Sequence, residues 1–259
     1  MSQILKKRIA IITGGDSGIG AASSRALAEA GADVAILYHK DQDGAQEVAG
    51  RVEAKGGKAT ILQCDVTDET AVEAAFDHTN ETLGRPDILV NSAGMNMQGV
   101  EVIDMDTEQW ETMIRTDLTG SFFTSRRFAR DLKKAGGPGA IINITSIHST
   151  AMRAGGADYC AAKGAQRNLT KTMALELARD KITVNAIAPG MILTPMNEKA
   201  MENEDYREKL EKNIPLGRAA DPEEIAQMVV YLASPAGRYM TGSSVTIDGG
   251  LSLLLGQGA

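Results

Sequence analysis

Three side chains in the middle of the chain have the types and spacing for proton transfer at a carbon–oxygen bond: Ser146, Tyr159 and Lys163. Residues four apart share a helix face, so Tyr159 and Lys163 point into one cleft. A free phenol has a pKa of about 10, too high for a base at neutral pH. A neighbouring ammonium stabilises the phenolate and is expected to lower that value. Ser146 follows the apolar run 141–145, which reads as a strand, and open α/β sheets hold ligands at the C-terminal edge of their strands. Its hydroxyl can bind a substrate oxygen while Tyr159 exchanges the proton. A lone Tyr-x-x-x-Lys pair is more often a solvated helix face; a second motif near the start of the chain reverses that balance.

Gly14, Gly18 and Gly20, with Asp16, Ser17 and Ile19 between them, follow the first apolar run and open a helix. Glycine allows the sharp turn and lets a pyrophosphate approach the backbone, and the helix N-terminus offers unpaired amides. The spacing is G-x-x-x-G-x-G rather than G-x-G-x-x-G. A phosphate cradle joined to an ionisable phenol points to hydride transfer between a dinucleotide and an alcohol or carbonyl carbon. Cofactor choice is set near the end of the second strand, here Tyr38, His39 and Lys40. The absence of an acid there favours a 2′-phosphate, hence NADP(H), with NAD(H) possible. Asp16 and Asp41 act against that preference by repelling the phosphate.

These residues need elements to hold them. Short apolar runs at 9–12, 34–37, 59–62, 88–90, 141–144, 182–187 and 245–247 read as strands. They are apolar at neighbouring positions, as expected of parallel strands covered on both faces. Helical segments at 18–30, 43–56, 68–83, 107–135, 158–179 and 222–233 alternate with them. The expectation is one α/β domain over 1–259: a doubly wound, Rossmann-type parallel sheet of about seven strands with helices on both faces. Asp221-Pro222-Glu223-Glu224 is a helix start, with a capping aspartate and proline at the first helical position. The irregular stretch 194–220 is either a surface helix pair or a lid over a pocket.

Composition excludes other classes. Net charge is -7 and no long basic run occurs, so a nucleic-acid partner is not expected. Cys64, Cys160, His39, His78 and His148 are not at metal-ligand spacing, so no metal site is expected. Free thiols, no export signal and no bilayer-length apolar stretch lead to the expectation of a cytoplasmic protein without membrane partners.

Taken in order along the chain, these motifs resemble the short-chain dehydrogenase/reductase family, in its compact single-domain branch. The resemblance covers nearly the whole sequence. Thr13-Gly14-x-x-x-Gly18-Ile19-Gly20 is similar to the family's nucleotide turn, and Asp65-Val66 to its adenine-contacting pair. Asn91-Ser92-Ala93-Gly94 is similar to the family's Asn-Asn-Ala-Gly stretch, with Ser92 in place of the second asparagine. Ser146, Tyr159 and Lys163 align with the family's catalytic residues. The segment from Asn185 through Pro189 and Gly190, with Ile192 and Thr194, resembles the one that holds the nicotinamide carboxamide. One position departs from the pattern: the family's fourth catalytic residue, an asparagine seven positions after a tryptophan, is Asp117 here. In the family that asparagine's main-chain carbonyl holds a water linking the lysine to solvent. A carbonyl survives the substitution, while the carboxylate is expected either near Lys163, holding it charged, or in a structural helix contact.

Such a fold implies a substrate pocket lined by Met95, Asn96, His148, Met152, Arg153 and Met191. The C-terminal half is similar to bacterial glucose 1-dehydrogenases and related sugar or polyol dehydrogenases, which implies a small polyhydroxylated substrate. The family's subunits pair through the long central helix and the following one, which implies a homotetramer. A second enzyme reading is a 3-oxoacyl carrier-protein reductase, needing a basic patch for which Arg126, Arg127 and Arg130 are candidates. A third, of another class, is a cofactor-sensing binding protein without turnover; Asp117 and Ser92 favour it and the intact Ser146, Tyr159 and Lys163 oppose it.

Overall fold

The computed structural model describes residues 3–96 and 98–253. Seven parallel strands form one sheet: β1 Ile9–Thr13, β2 Asp33–Tyr38, β3 Ala59–Gln63, β4 Ile88–Asn91, β5 Gly139–Ile144, β6 Ile182–Pro189 and β7 Ser244–Ile247. Their order is β3-β2-β1-β4-β5-β6-β7. The chain therefore reverses its winding between β1 and β4, and the loops leaving those two strands diverge to leave a crevice.

The strand residues explain why helices cover both faces. Side chains alternate along a strand. Ala10, Ile12, Val34, Ile36, Ile88, Val90, Ala140 and Ile142 go to one core, against the helices α1 Gly18–Glu29, α2 Gln42–Ala54 and α9 Pro222–Ala233. Ile11, Ala35, Leu37, Leu89 and Ile141 go to the other, against α3 Glu69–Thr82, α5 Gly120–Ala135 and α6 Ala157–Leu177. Each buried Ile or Leu contributes roughly 1.5–3 kcal/mol, so the two cores hold the strand ends firmly beneath the loops.

The long central helix is not uniform. α4 Thr107–Met113 runs into a π-helical turn, Ile114–Thr119, before α5 begins. An inserted residue of this kind turns side chains out of the α-helical rows, and such turns are frequent at functional sites. The 194–220 stretch forms a one-turn helix at Pro195–Asn197 and two short helices, α7 Glu198–Glu202 and α8 Glu204–Glu211. The start of α9 is as its sequence implies: Pro222 is the first helical residue, and the Glu224 carboxylate accepts a hydrogen bond from Asp221 N at 3.0 Å. Among the described residues no helix is long and apolar enough to cross a membrane.

Candidate active site

Five strand ends meet at one rim because all the strands are parallel. β1 delivers Gly14, β2 delivers Tyr38 and His39, β4 delivers Asn91 to Gly94, β5 delivers Ser146, and β6 delivers Pro189 and Gly190.

The glycine turn fits a dinucleotide pyrophosphate. Gly14 and Gly18 have φ of 59° and 49°, a region that L side chains avoid. A Cβ on Gly20 would sit 1.9 Å from the Gly14 carbonyl oxygen. Ser17, the residue before α1, makes no side-chain capping bond, and the first turn of α1 carries no acid. The helix dipole therefore offers positive charge and unpaired amides at the opening. The turn is braced from both sides. Thr13 Oγ1 accepts from Ser92 N at 3.1 Å and Ala93 N at 3.0 Å, and a Cβ on Gly18 would meet Thr194 Cγ2 at 3.2 Å.

At the end of β2, His39 and Lys40 are exposed, and His39 Nε2 is 3.9 Å from Asp65 Oδ2. Burial works against the Asp65 carboxylate, but hydrogen bonds from Thr67 and the charge of His39 bring its pKa below the ordinary value. Asp16 lies among the same groups; burial, aided by the charge of Asp41, raises its pKa. Val66 packs on the α5 start, where a Cβ on Gly120 would reach 2.7 Å from Val66 Cγ2.

The side chain of Asn91 is a structural tie. It donates to Ser125 Oγ at 2.9 Å and Asn143 Oδ1 at 2.8 Å, and accepts from Thr124 Oγ1 at 2.6 Å. Asn143 passes the connection on to Thr170 on α6 at 2.9 Å. Its two donors are thereby used, and what Asn91 offers the rim is its backbone.

Ser146, Tyr159 and Lys163 are brought together, each under one-tenth exposed. His148 N donates to Ser146 Oγ at 3.1 Å, leaving the serine's own proton to be given away, and Ser146 lies near enough to the Tyr159 phenol to favour its ionised form. Lys163 Nζ lies 5.6 Å from the Tyr159 ring centroid and donates to Ile144 O at 3.2 Å. The π-turn puts Asp117 in the same place, fully buried: Oδ1 accepts from Met95 N at 2.8 Å and Oδ2 is 3.0 Å from Lys163 Nζ. Of the two sequence alternatives for this carboxylate, the one near Lys163 holds. The Asp117 main-chain carbonyl accepts from Ser121 Oγ at 3.3 Å.

The expected lowering of the tyrosine is reversed. Burial raises the phenol above its ordinary value, Lys163 lowers it, and Asp117 raises it again. Burial likewise opposes the Lys163 ammonium, but the charges of Asp117 and Tyr159 outweigh it and raise that pKa. The Tyr159–Lys163 spacing reports the ammonium; the desolvation that outweighs it comes from burial, which spacing does not report.

Around these groups the candidate pocket residues separate. Met95 packs with Met113, Tyr159 and Ala162. The His148 ring stands edge-on to Tyr159 at 6.3 Å, and its Nδ1 is 2.8 Å from Ala151 O. With the proton on Nδ1, Nε2 is an acceptor. Asn96 Nδ2 donates to Met196 O at 3.0 Å, tying the loop after β4 to the 194–220 segment. Met152 and Arg153 are exposed. Met191 lines a small cavity of about 70 Å³ with Leu216, Arg218 and Asp248.

One side chain escaped the sequence reading. Asp158 is fully buried, accepts from Gln109 Nε2 at 2.9 Å and from Tyr159 N at 2.7 Å, and so pins α4 to the start of α6. The signal was an acid in a helix's first turn, next to the tyrosine. Two of the three arginines offered as a basic patch are engaged, and the third, Arg130, is exposed. Arg126 pairs with Glu69 and lies over Phe122, and Arg127 pairs with Glu73, Asp77 and Asp131.

A family profile described as enoyl-(acyl carrier protein) reductase matches residues 14–252. The chain is 42% identical over 246 residues to the uncharacterised oxidoreductase YohF of Escherichia coli K12, covering 95% of this chain and 96% of that protein. It is 34% identical over 259 residues to glucose 1-dehydrogenase 2 of Bacillus subtilis 168, covering 99% of each. A short-chain dehydrogenase/reductase from Serratia marcescens has the same fold, with a TM-score of 0.89 at 35% identity over 96% of this chain and 99% of that one. Likeness that runs nearly end to end settles the kinship: this chain belongs to the short-chain dehydrogenase/reductase family and is an NAD(P)-dependent oxidoreductase of CH–OH groups.

Proposed function

We propose that the chain interconverts a secondary alcohol and its ketone on a small polyhydroxylated substrate of the sugar or polyol class, using Ser146, Tyr159 and Lys163. The observation that carries the chemistry is the burial of Ser146, Tyr159 and Lys163 together, with the Lys163 ammonium 5.6 Å from the centre of the Tyr159 ring. Ser146 holds the substrate oxygen with the proton left free by the His148 N bond. Tyr159 gives or takes the proton at that oxygen, and Lys163 stabilises charge developing on the phenolate. A nicotinamide dinucleotide, when bound, supplies or accepts the hydride. Gly14, Ser17, Gly18, Ile19 and Gly20 hold its phosphates, Asp65 and Val66 its adenine, and the loops 91–94 and 189–194 its nicotinamide end. His148 Nε2 accepts from a substrate hydroxyl, and the likeness to a glucose 1-dehydrogenase supports a substrate rich in such groups.

NADP(H) is the preferred cofactor, because no acid stands at Tyr38, His39 and Lys40. The 194–220 segment acts as a lid, tied at Asn96 and Met196. The molecule works as a homotetramer, since Trp110, Phe122 and Leu175 leave apolar surface on the central helix and α6. Light scattering tests that assembly. Nicotinamide absorbance, followed with both cofactors over a panel of sugars, polyols and ketones, tests the function. Turnover of a polyol or its ketone is expected; silence across the panel would overturn the substrate class, and a tenfold preference for NAD(H) the cofactor.

A further inference from the structure

We propose, resting on the reading just given, that Asp117 is a positioning residue that engages the charge of Lys163 and so keeps Tyr159 in its acid form, making the site a proton donor to carbonyl substrates at neutral pH.

The argument starts from the space around the carboxylate. The π-turn delivers Asp117 into the interior with none of its surface exposed. Its Oδ1 is held by Met95 N at 2.8 Å, which fixes the orientation of the other oxygen. Oδ2 then lies 3.0 Å from Lys163 Nζ, and that charge contact is its one partner among the described residues. The loop after β4 seals the pair: a Cβ on Gly94 would come within 3.0 Å of Oδ2 and 3.4 Å of Nζ.

An asparagine at 117 would keep the Met95 bond through its own oxygen. The charge is therefore what the aspartate adds. The carboxylate acts on the phenolate in the opposite sense to the ammonium and next after it. The charged and titratable groups that face Tyr159 are Lys163 and Cys160 from α6, Asp117 from the π-turn and the His148 ring from the loop after β5. Asp158 is turned to Gln109 and to Tyr159 N. Burial, first, and then Asp117 push the phenol up against Lys163, in the direction the geometry requires.

Carbonyl reduction adds a hydride to carbon and a proton to oxygen. The hydride comes from the reduced dinucleotide and the proton from Tyr159 Oη, which regains one from solvent. A phenol held protonated serves this direction at neutral pH and delays alcohol oxidation, which needs the phenolate, to alkaline pH.

The test is ultraviolet titration of tyrosinate in the free protein up to pH 10, with the Tyr159→Phe curve subtracted to isolate this phenol from the other four tyrosines. The wild type is expected to show no Tyr159 signal over that range. Asp117→Asn is expected to show one, with its apparent midpoint at least one pH unit lower, read as a property of the coupled Tyr159–Lys163 pair. Coincident curves for the two proteins, or an ionised Tyr159 in the wild type below pH 9, would overturn the proposal. Asp117→Ser, which also removes the charge, gives the same reading from a smaller side chain should the asparagine variant fold poorly. Because no substrate is involved, a silent substrate panel leaves this measurement standing, and a failed titration leaves the oxidoreductase reading intact.

Discussion

Asp117 and Lys163, from two different helical segments, form an ion pair of 3.0 Å that is almost wholly shut away from water. A buried charge is tolerated only with its partner in place. Lys163→Met leaves the Asp117 carboxylate without a counter-charge and is expected to lower folding stability by about 3–5 kcal/mol. Denaturant unfolding measures it, and a loss below 1 kcal/mol would mean the pair carries no such weight.

Tyr159→Phe removes the proton without disturbing the burial of the ring. Its kcat is expected to fall by roughly 10²–10⁴-fold while the dinucleotide still binds. Ser146→Ala is expected to lose activity with the same retention of binding. Stopped kinetics alongside a fluorescence titration of the cofactor separates the two effects.

The glycine turn makes a sharper demand than composition alone suggests. Gly20→Ala drives its Cβ into the Gly14 carbonyl oxygen and is expected to cost about 3 kcal/mol, together with dinucleotide affinity. Gly50 in α2 has nothing within 4 Å of the same position. Gly50→Ala is expected to be neutral or stabilising by about 0.5–1 kcal/mol. Thermal melting of the two variants gives the contrast directly.

Asp16 shares its surroundings with His39 and Asp41, where a 2′-phosphate is proposed to sit. Removing one like charge is worth about tenfold after screening by salt. Asp16→Ser is expected to raise the ratio of kcat/KM for NADP(H) over NAD(H) by about that factor. An unchanged ratio would show that Asp16 does not face the adenosine ribose.

Cys64 is buried, and burial, reinforced by Asp65 and Asp68, pushes its thiol up to about 12. An unfolded thiol titrates near 8.5. Between those values the native state keeps a proton that the unfolded state has lost, so this group's contribution falls as pH rises. The slope is at most about 1.4 kcal/mol per pH unit. Cys64→Ala is expected to flatten the loss of stability above about pH 8.5, seen in melting curves taken across that range.

Much of the fold was legible because the strands are short and apolar throughout. Runs such as 34–37 and 88–90 carry both core faces at once, and each emerged as a strand. The glycine turn and the Ser146, Tyr159 and Lys163 set were legible because helical and strand periods fix their spacing. The π-turn was not, because one inserted residue leaves no mark on hydrophobic period in 107–135. Nor was the sign of the Tyr159 shift, which depends on how much water is excluded and on a carboxylate 42 positions upstream. Sequence spacing reports which groups share a face; it does not report the dielectric between them. Arg126 and Arg127 of α5 were equally opaque, since Glu69, Glu73 and Asp77 that neutralise them belong to α3.

The contact between Gly18 and Thr194 has a consequence for biosynthesis. If residues 189–194 hold the nicotinamide end as proposed, the seat for the dinucleotide is completed only when the last quarter of the polypeptide has left the ribosome and settled onto the first turn. Capture of the nucleotide is therefore a late checkpoint, one that a truncated or stalled nascent product is unable to pass.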